Sequence, residues 1–210
     1  MELPSLYLIS DADRVGEERF VAALRAASAA GLGMVLLREP SWRTERLRSL
    51  AERLRAELPP ASALLLGCRP GASLEERAAV VTSLSLRGAH LGGGIPGEIP
   101  RLRRLLGERA WIGYSAHDLD EVLEAFQQGA SYVSFSPVFA PRSKPIVGDP
   151  RGLEKLRRVC EAADGPVYAL GGITPQSAVQ VREAGAAGVA VVGAILDASD
   201  PGAATRALLA

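Results

Sequence analysis

Two apolar runs near the carboxyl end of the chain are each followed by residues with little or no side chain. Pro166–Gly171 continues into Gly172, and Gly188–Val192 continues into Gly193-Ala194. Residues of this kind expose backbone N–H groups, and several converging N–H groups bind a phosphate, above all near the start of a helix. The sequence therefore predicts a phosphate-binding site built from Gly171, Gly172, Val192, Gly193 and Ala194.

Charged residues follow another apolar run, Val35-Leu36-Leu37, which is succeeded directly by Arg38 and Glu39. The planar guanidinium of Arg38 suits a phosphate or a carboxylate, and a salt bridge at the surface is the alternative role for this pair. Lys144 lies in a proline-containing segment without periodicity. It is either a solvated lysine or a cation that closes over an anionic substrate.

The chain contains two histidines, His90 and His117. His90 lies within a predicted strand, which favours a core histidine bonded to backbone groups. His117 follows a strand end beside Asp118, so Ser115 and His117 are candidates for orienting a substrate or moving a proton near neutral pH. Cys68 ends a strand with only Arg69 beside it, and this favours an unreactive thiol.

Carboxylates are scarce where a metal site would need them. A magnesium–pyrophosphate site requires one or two acidic ligands. The third, fourth and sixth predicted strands end in Gly67-Cys68, Gly92-Gly93-Gly94 and Ser136-Pro137, which leaves only Asp11 and Glu39. We expect no metal site and no other cofactor.

The elements that must position these residues alternate along the whole chain. Eight apolar runs predict strands at Ser5–Ser10, Gly33–Arg38, Ala61–Gly67, Gly88–Gly92, Trp111–Ser115, Tyr132–Val138, Pro166–Gly171 and Gly188–Val192. Segments with helical periodicity lie between or after them, at Glu18–Ala30, Arg43–Glu57, Leu74–Leu86, Leu119–Gln128, Gly152–Ala162, Pro175–Ala184 and Pro201–Leu209. This alternation predicts a closed (β/α)8 TIM barrel forming a single domain over residues 1–210, with the candidate residues at its C-terminal end. An open doubly wound sheet is the alternative. It is disfavoured because no glycine-rich dinucleotide loop follows the first strand.

Composition excludes several classes of function. The 210 residues are 48% apolar, and 24 basic residues balance 24 acidic ones. Without a basic patch, nucleic acid is not expected as a partner. Without a bilayer-length apolar run or a leader peptide, neither is a membrane, so we expect a soluble cytoplasmic protein.

Several motifs occur in one order along the chain and together resemble the thiamine-phosphate synthase superfamily, which also contains the thiazole tautomerases. They are LYLISD (Leu6–Asp11), VLLREP (Val35–Pro40), LLGCR (Leu65–Arg69), GAHLGG (Gly88–Gly93), IGYSAH (Ile112–His117), YVSFSPVFAPRSKP (Tyr132–Pro145), YALGGIT (Tyr168–Thr174) and GVAVVGAI (Gly188–Ile195). The resemblance implies a TIM barrel that binds a thiazole phosphate in thiamine biosynthesis. It also implies a small homo-oligomer, with a dimer favoured, and anion contacts from Arg38, Ser143 and Lys144.

Departures from the superfamily pattern change the expected chemistry. Synthases carry Asn-Asp where this chain has Gly67-Cys68, and Gln-x-Asp where it has Gly93 and Ile95. The two magnesium carboxylates that the resemblance implies are therefore missing. The histidine that tautomerases carry after strand six corresponds to Pro137.

We therefore expect a metal-independent, thiazole tautomerase-like isomerase. Glu39 or His117 would move the proton, and the substrate would contact Arg38, Ser115, Ser143 and Lys144. Two alternatives stay open. One is a thiamine-phosphate synthase with a divergent metal site, and the other is a non-catalytic binder of thiazole or thiamine phosphate.

Overall fold

Eight parallel strands close into a barrel in which each strand pairs with its two neighbours in the chain, and β8 pairs with β1. The computed structural model describes residues 3–69, 74–94, 96–140 and 149–210. The strands are β1 (Leu6–Ile9), β2 (Met34–Leu37), β3 (Ala63–Cys68), β4 (Gly88–Leu91), β5 (Trp111–Ala116), β6 (Tyr132–Phe135), β7 (Val167–Leu170) and β8 (Gly188–Val191). All eight lie where the sequence predicted them, and the barrel itself is confirmed.

Helices surround the barrel. They are α1 (Ala12–Val15), α2 (Glu17–Ala29), α3 (Thr44–Glu57), α4 (Leu74–Ser83), α5 (Ile99–Leu106), α6 (Leu119–Gln127), α7 (Gly152–Ala162), α8 (Pro175–Glu183), α9 (Gly193–Leu196) and α10 (Pro201–Leu209). Two of them, α1 and α9, were not predicted, because four residues are too few to show a helical period. The bounds of α5 were not predicted either, although the expected alternation of eight strands with eight helices requires a helix between β4 and β5.

Successive side chains along each strand point alternately to the two faces of the sheet, and this produces two buried layers. Leu6 and Leu8 of β1 point outward to the layer between barrel and helices, whereas Tyr7 and Ile9 point into the barrel. Inside the barrel, Tyr7 packs edge-on against two further tyrosines, Tyr132 and Tyr168, at centroid distances of 6.0 and 5.1 Å. The interior is thus filled with side chains, and substrate access is confined to the ends.

Within the described parts of the chain, none of the helices is both long and apolar enough to cross a membrane.

Candidate active site

A cavity of about 520 Å³ lies beyond the ends of β7 and β8. All the residues predicted to bind phosphate line it, namely Gly171, Gly172, Val192, Gly193 and Ala194. We call this cavity the cradle. In the described part of the chain, no protein acceptor receives the N–H groups of Gly172, Ile173, Gly193 or Ala194. The cradle therefore offers free donors on two adjacent strand ends, while phosphate binding there stays a prediction.

The two glycines after β7 are required by backbone conformation and by close packing. Gly171 has a φ of +102° and Gly172 a φ of +63°. A Cβ on Gly171 would lie 2.8 Å from the Cα of Pro137, and one on Gly172 would lie 2.6 Å from the carbonyl oxygen of Ala140. Only glycine brings the loop after β7 this close to the chain that follows β6.

An acidic residue that the sequence analysis missed, Asp197, also lines the cradle. Its carboxylate accepts hydrogen bonds from Nη1 of Arg14 at 2.8 Å and from Nη2 at 3.4 Å. The Nε of Arg14 donates to Asp11 at 2.7 Å. The guanidinium offsets the negative charge that Asp197 would otherwise present to an anion in the cradle.

A second cavity, of about 370 Å³, lies at the ends of β3 and β4. Three arginines, Arg38, Arg69 and Arg77, are among its lining residues, so we call it the arginine pocket. Part of Arg38 reaches solvent, yet desolvation by the surrounding protein, and then the charge of Arg69, lower the pKa of its guanidinium. Burial likewise lowers the pKa of Arg77, which donates to the carbonyl oxygen of Gly67 at 2.5 Å. The pocket thus concentrates positive charge, as an anion site requires.

Sequence reasoning could have found one of the two additional arginines of this pocket. Arg69 directly follows the end of β3, the position from which candidate residues were taken. Arg77 lies in α4, where an arginine is normally taken for part of a solvated face. Its exposure of only 5% has no signal in the sequence.

Glu39 lies at the rim of the barrel but is fully engaged by the protein. It is 1% exposed, and its Oε1 accepts from the Ser10 hydroxyl at 2.6 Å and from the Ala12 N–H at 2.7 Å. Its Oε2 accepts from the N–H of Asp13 at 3.1 Å. These contacts attach the start of α1 to the end of β2, so the carboxylate has an evident structural role, and its catalytic role stays a prediction.

Ser115 pairs with His90 and not with His117. The Nε2 of His90 lies 2.8 Å from the Ser115 hydroxyl, and its Nδ1 lies 3.0 Å from the hydroxyl of Tyr132. Burial, and to a lesser degree Arg38, lower the pKa of His90 to about 3. His90 is therefore a neutral core histidine as expected, although its partners are side chains and not the predicted backbone groups.

His117 is held in one orientation by the backbone. Its Nδ1 lies 3.0 Å from the carbonyl oxygen of Ser136, and because a carbonyl only accepts, Nδ1 carries the proton. The Nε2 lone pair is then left to act as a base. It points towards Gly93, since a Cβ built on that glycine would lie 3.6 Å from Nε2. The geometry suits proton transfer, and the catalytic role of His117 stays a prediction.

Two of the candidate substrate contacts, Ser143 and Lys144, lie outside the described residues.

The donor groups at the rim do not fit the magnesium ion that the family resemblance implies. The ends of β3 and β4 bring Gly67, Cys68 and Gly92 to the arginine pocket. Burial raises the pKa of the Cys68 thiol to about 12, so it stays protonated and is a poor ligand. Asp11 is paired with Arg14, and both oxygens of Glu39 accept hydrogen bonds. Magnesium prefers carboxylate oxygens, and the described lining of the arginine pocket contains no aspartate or glutamate.

The fold and the two cavities define a parallel α/β barrel with free backbone N–H groups and a cluster of arginines at the C-terminal ends of its strands. Residues 6–195 match the family model for thiamine monophosphate synthase. The chain belongs to this family of thiamine-biosynthesis proteins.

Individual relatives agree with this assignment. The chain is 34% identical to the thiamine-phosphate synthase of Roseiflexus castenholzii over 97% of its own length and 86% of the relative's. It is 40% identical to the bifunctional protein ThiM/ThiE of Symbiobacterium thermophilum, over 89% of this chain and 37% of the longer protein. The solved structure of thiamine phosphate pyrophosphorylase from Pyrococcus furiosus superposes with a TM-score of 0.74 at 28% identity, covering 98% of this chain and 93% of that one. These relatives support the synthase alternative over the tautomerase interpretation.

Proposed function

We propose that the protein is a thiamine-phosphate synthase, a transferase that joins a pyrimidine pyrophosphate to a thiazole phosphate and releases pyrophosphate. The observation that carries the proposal is the presence of two separate cavities with anion-binding character at the same end of the barrel. A reaction between two phosphorylated substrates needs two such sites. The named relatives support the same reaction.

Each cavity receives one substrate in this proposal. The free N–H groups of the cradle bind the single phosphate of the thiazole, which fixes the ring at the mouth of the barrel. The arginine pocket receives the pyrophosphate of the pyrimidine, with Arg38 and Arg69 as charged donors. The two reacting atoms then meet between the sites, and holding them there removes much of the entropic barrier.

The test is direct synthesis from the two purified precursors. We expect thiamine phosphate and inorganic pyrophosphate to appear in equal amounts. Arg38→Met should reduce kcat/KM strongly, whereas Arg109→Met, at an exposed site near the opposite end of the barrel, should leave it unchanged. If no thiamine phosphate forms with any divalent cation or with none, the synthase proposal is wrong.

The orientation of His117 favours one second candidate, the tautomerase-like isomerase. A base with a free Nε2 beside the substrate would suit aromatisation of a carboxylated thiazole phosphate by proton transfer. Absorbance would follow this reaction, and His117→Gln should abolish it. Binding of thiazole phosphate without turnover of either substrate would instead support the non-catalytic binder.

A further inference from the structure

We propose that guanidinium groups, and not a divalent cation, stabilise the leaving pyrophosphate in this protein. The inference rests on the proposed synthase function. It concerns the arginine pocket, where the described lining residues include Arg38, Arg69 and Arg77 but no aspartate or glutamate. The segments outside the described residues that interrupt the chain, 70–73, 95 and 141–148, contain no acidic residue in the sequence, and Glu2 is the one acidic residue in the remaining segment, 1–2.

The two carboxylates whose charge acts on Arg38, Asp11 and Glu39, already have partners in the protein. Asp11 is held by Nε of Arg14 at 2.7 Å. Glu39 accepts from Ser10 and from two backbone N–H groups, and it is almost completely buried. Releasing Glu39 to a metal would leave buried donors unsatisfied, which is costly.

The arginines of the pocket, by contrast, have no carboxylate in direct contact in the described part of the chain, and Glu39 and Asp11 act on Arg38 only from beyond ion-pair distance. Among the described residues, no carboxylate lies within ion-pair distance of the guanidinium of Arg38, Arg69 or Arg77. The Nε of Arg77 is buried and has no hydrogen-bond partner there. Repulsion between Arg38 and Arg69 is relieved when a multiply charged anion enters, and each guanidinium offers the bidentate geometry that phosphate oxygens accept.

The reaction needs no further component to balance. The carbon–oxygen bond between the pyrimidine substituent and the pyrophosphate breaks, and its electron pair leaves on the pyrophosphate oxygen. The lone pair of the thiazole nitrogen forms the new carbon–nitrogen bond. That nitrogen carries no proton, so no base is consumed. The negative charge that accumulates on the leaving group is met by the arginines, which are already in place before the bond breaks.

Binding of inorganic pyrophosphate to the intact protein tests the site without catalysis. Isothermal titration calorimetry in EDTA should show binding, and Arg69→Gln should weaken it about 10-fold, the expected effect of losing one charge-assisted contact. Arg109→Gln is the matched control and should bind as the parent does. Arg69 lies at an exposed strand end, so its replacement leaves the core intact. Binding that appears only with Mg²⁺, or that Arg69→Gln leaves unchanged, overturns the inference.

The rate of thiamine phosphate synthesis, measured in EDTA and with Mg²⁺, distinguishes failure of the metal-free site from failure of the proposed synthase function. Turnover in EDTA within about 3-fold of the rate with Mg²⁺ supports both. Turnover that requires Mg²⁺ upholds the synthase and overturns the metal-free site. No turnover under either condition overturns the synthase, and the calorimetric result with Arg69→Gln still decides whether the pocket binds pyrophosphate without metal.

Discussion

Replacing Gly172 by alanine tests whether the cradle is built on a glycine that the packing itself requires. The residue has a φ of +63°, a conformation that costs an L-residue roughly 1–2 kcal/mol. The new Cβ would lie 2.6 Å from the carbonyl oxygen of Ala140 and 2.8 Å from the Cβ of Phe139. It would also lie 2.9 Å from the carbonyl carbon of Phe139, and because backbone atoms cannot easily move away, crowding adds about 1–3 kcal/mol.

The expected loss of unfolding free energy for Gly172→Ala is therefore about 3 kcal/mol. In a domain of this size, each kcal/mol lowers Tm by about 2–4 °C, so Tm should fall by roughly 6–12 °C. Gly129→Ala is the matched control. Gly129 also has a positive φ, +94°, but a Cβ there meets no heavy atom within 4 Å. It should lose only the conformational part, about 1–2 kcal/mol.

Urea denaturation measures both losses, and calorimetry with thiazole phosphate measures the effect on binding. Gly172→Ala should bind the phosphate more weakly because the loop that carries the free N–H groups must move, whereas Gly129→Ala should bind normally. Equal stability losses in the two variants would refute the packing argument. Unchanged affinity in a folded Gly172→Ala protein would refute the placement of the phosphate.

Three further changes have outcomes that the structure fixes. Glu39→Gln places an amide N–H donor where the carboxylate accepts from N–H and O–H donors, so the unfolding free energy measured in urea should fall by about 1–3 kcal/mol. Full stability with lost turnover would instead identify Glu39 as a catalytic carboxylate. Burial raises the pKa of the Cys68 thiol to about 12, so Cys68 should resist alkylation at pH 8 until the protein is unfolded. Rapid labelling of the native protein would contradict its burial. His90 has a folded pKa of about 3 against an ordinary 6.5, so the unfolded state binds more protons between these values. Stability should therefore be complete above about pH 6.5 and fall as the pH drops towards 3, and His90→Asn should flatten this dependence in acid titrations.

The barrel could be predicted from the sequence because apolar strand runs and amphipathic helical segments alternate regularly along the chain. Runs such as Met34–Leu37 and Gly188–Val191 are apolar throughout, as strands covered on both sides must be. The short helices α1 and α9 could not be predicted, since a single turn has no period and forms only where the barrel rim supports it.

The cradle could also be predicted, whereas the arginine pocket could be predicted only in part. Gly171 and Gly172 stand out in the sequence as consecutive glycines directly after an apolar run, and their positive φ values and close packing explain why glycine is needed there. Arg77 does not, because burial of a helical arginine depends on which strand end lies opposite, here the carbonyl oxygen of Gly67. The same limit applies to Glu39, whose type suggests catalysis and whose hydrogen bonds are set by the start of α1.

That four-residue helix links the two cavities mechanically. Its N–H groups bind Glu39, the neighbour of Arg38 in the arginine pocket, and Arg14 within it binds Asp197 in the cradle. Partly exposed ion pairs contribute little stability individually, about 1 kcal/mol or less, so their number does not explain this arrangement. The geometry of these contacts explains the arrangement better than their stability does. A transferase must hold two bound substrates at one separation, and errors of about 1 Å cost a large factor in rate. The contacts of α1 attach both cavities to one short helix, which is the arrangement that the proposed transferase requires.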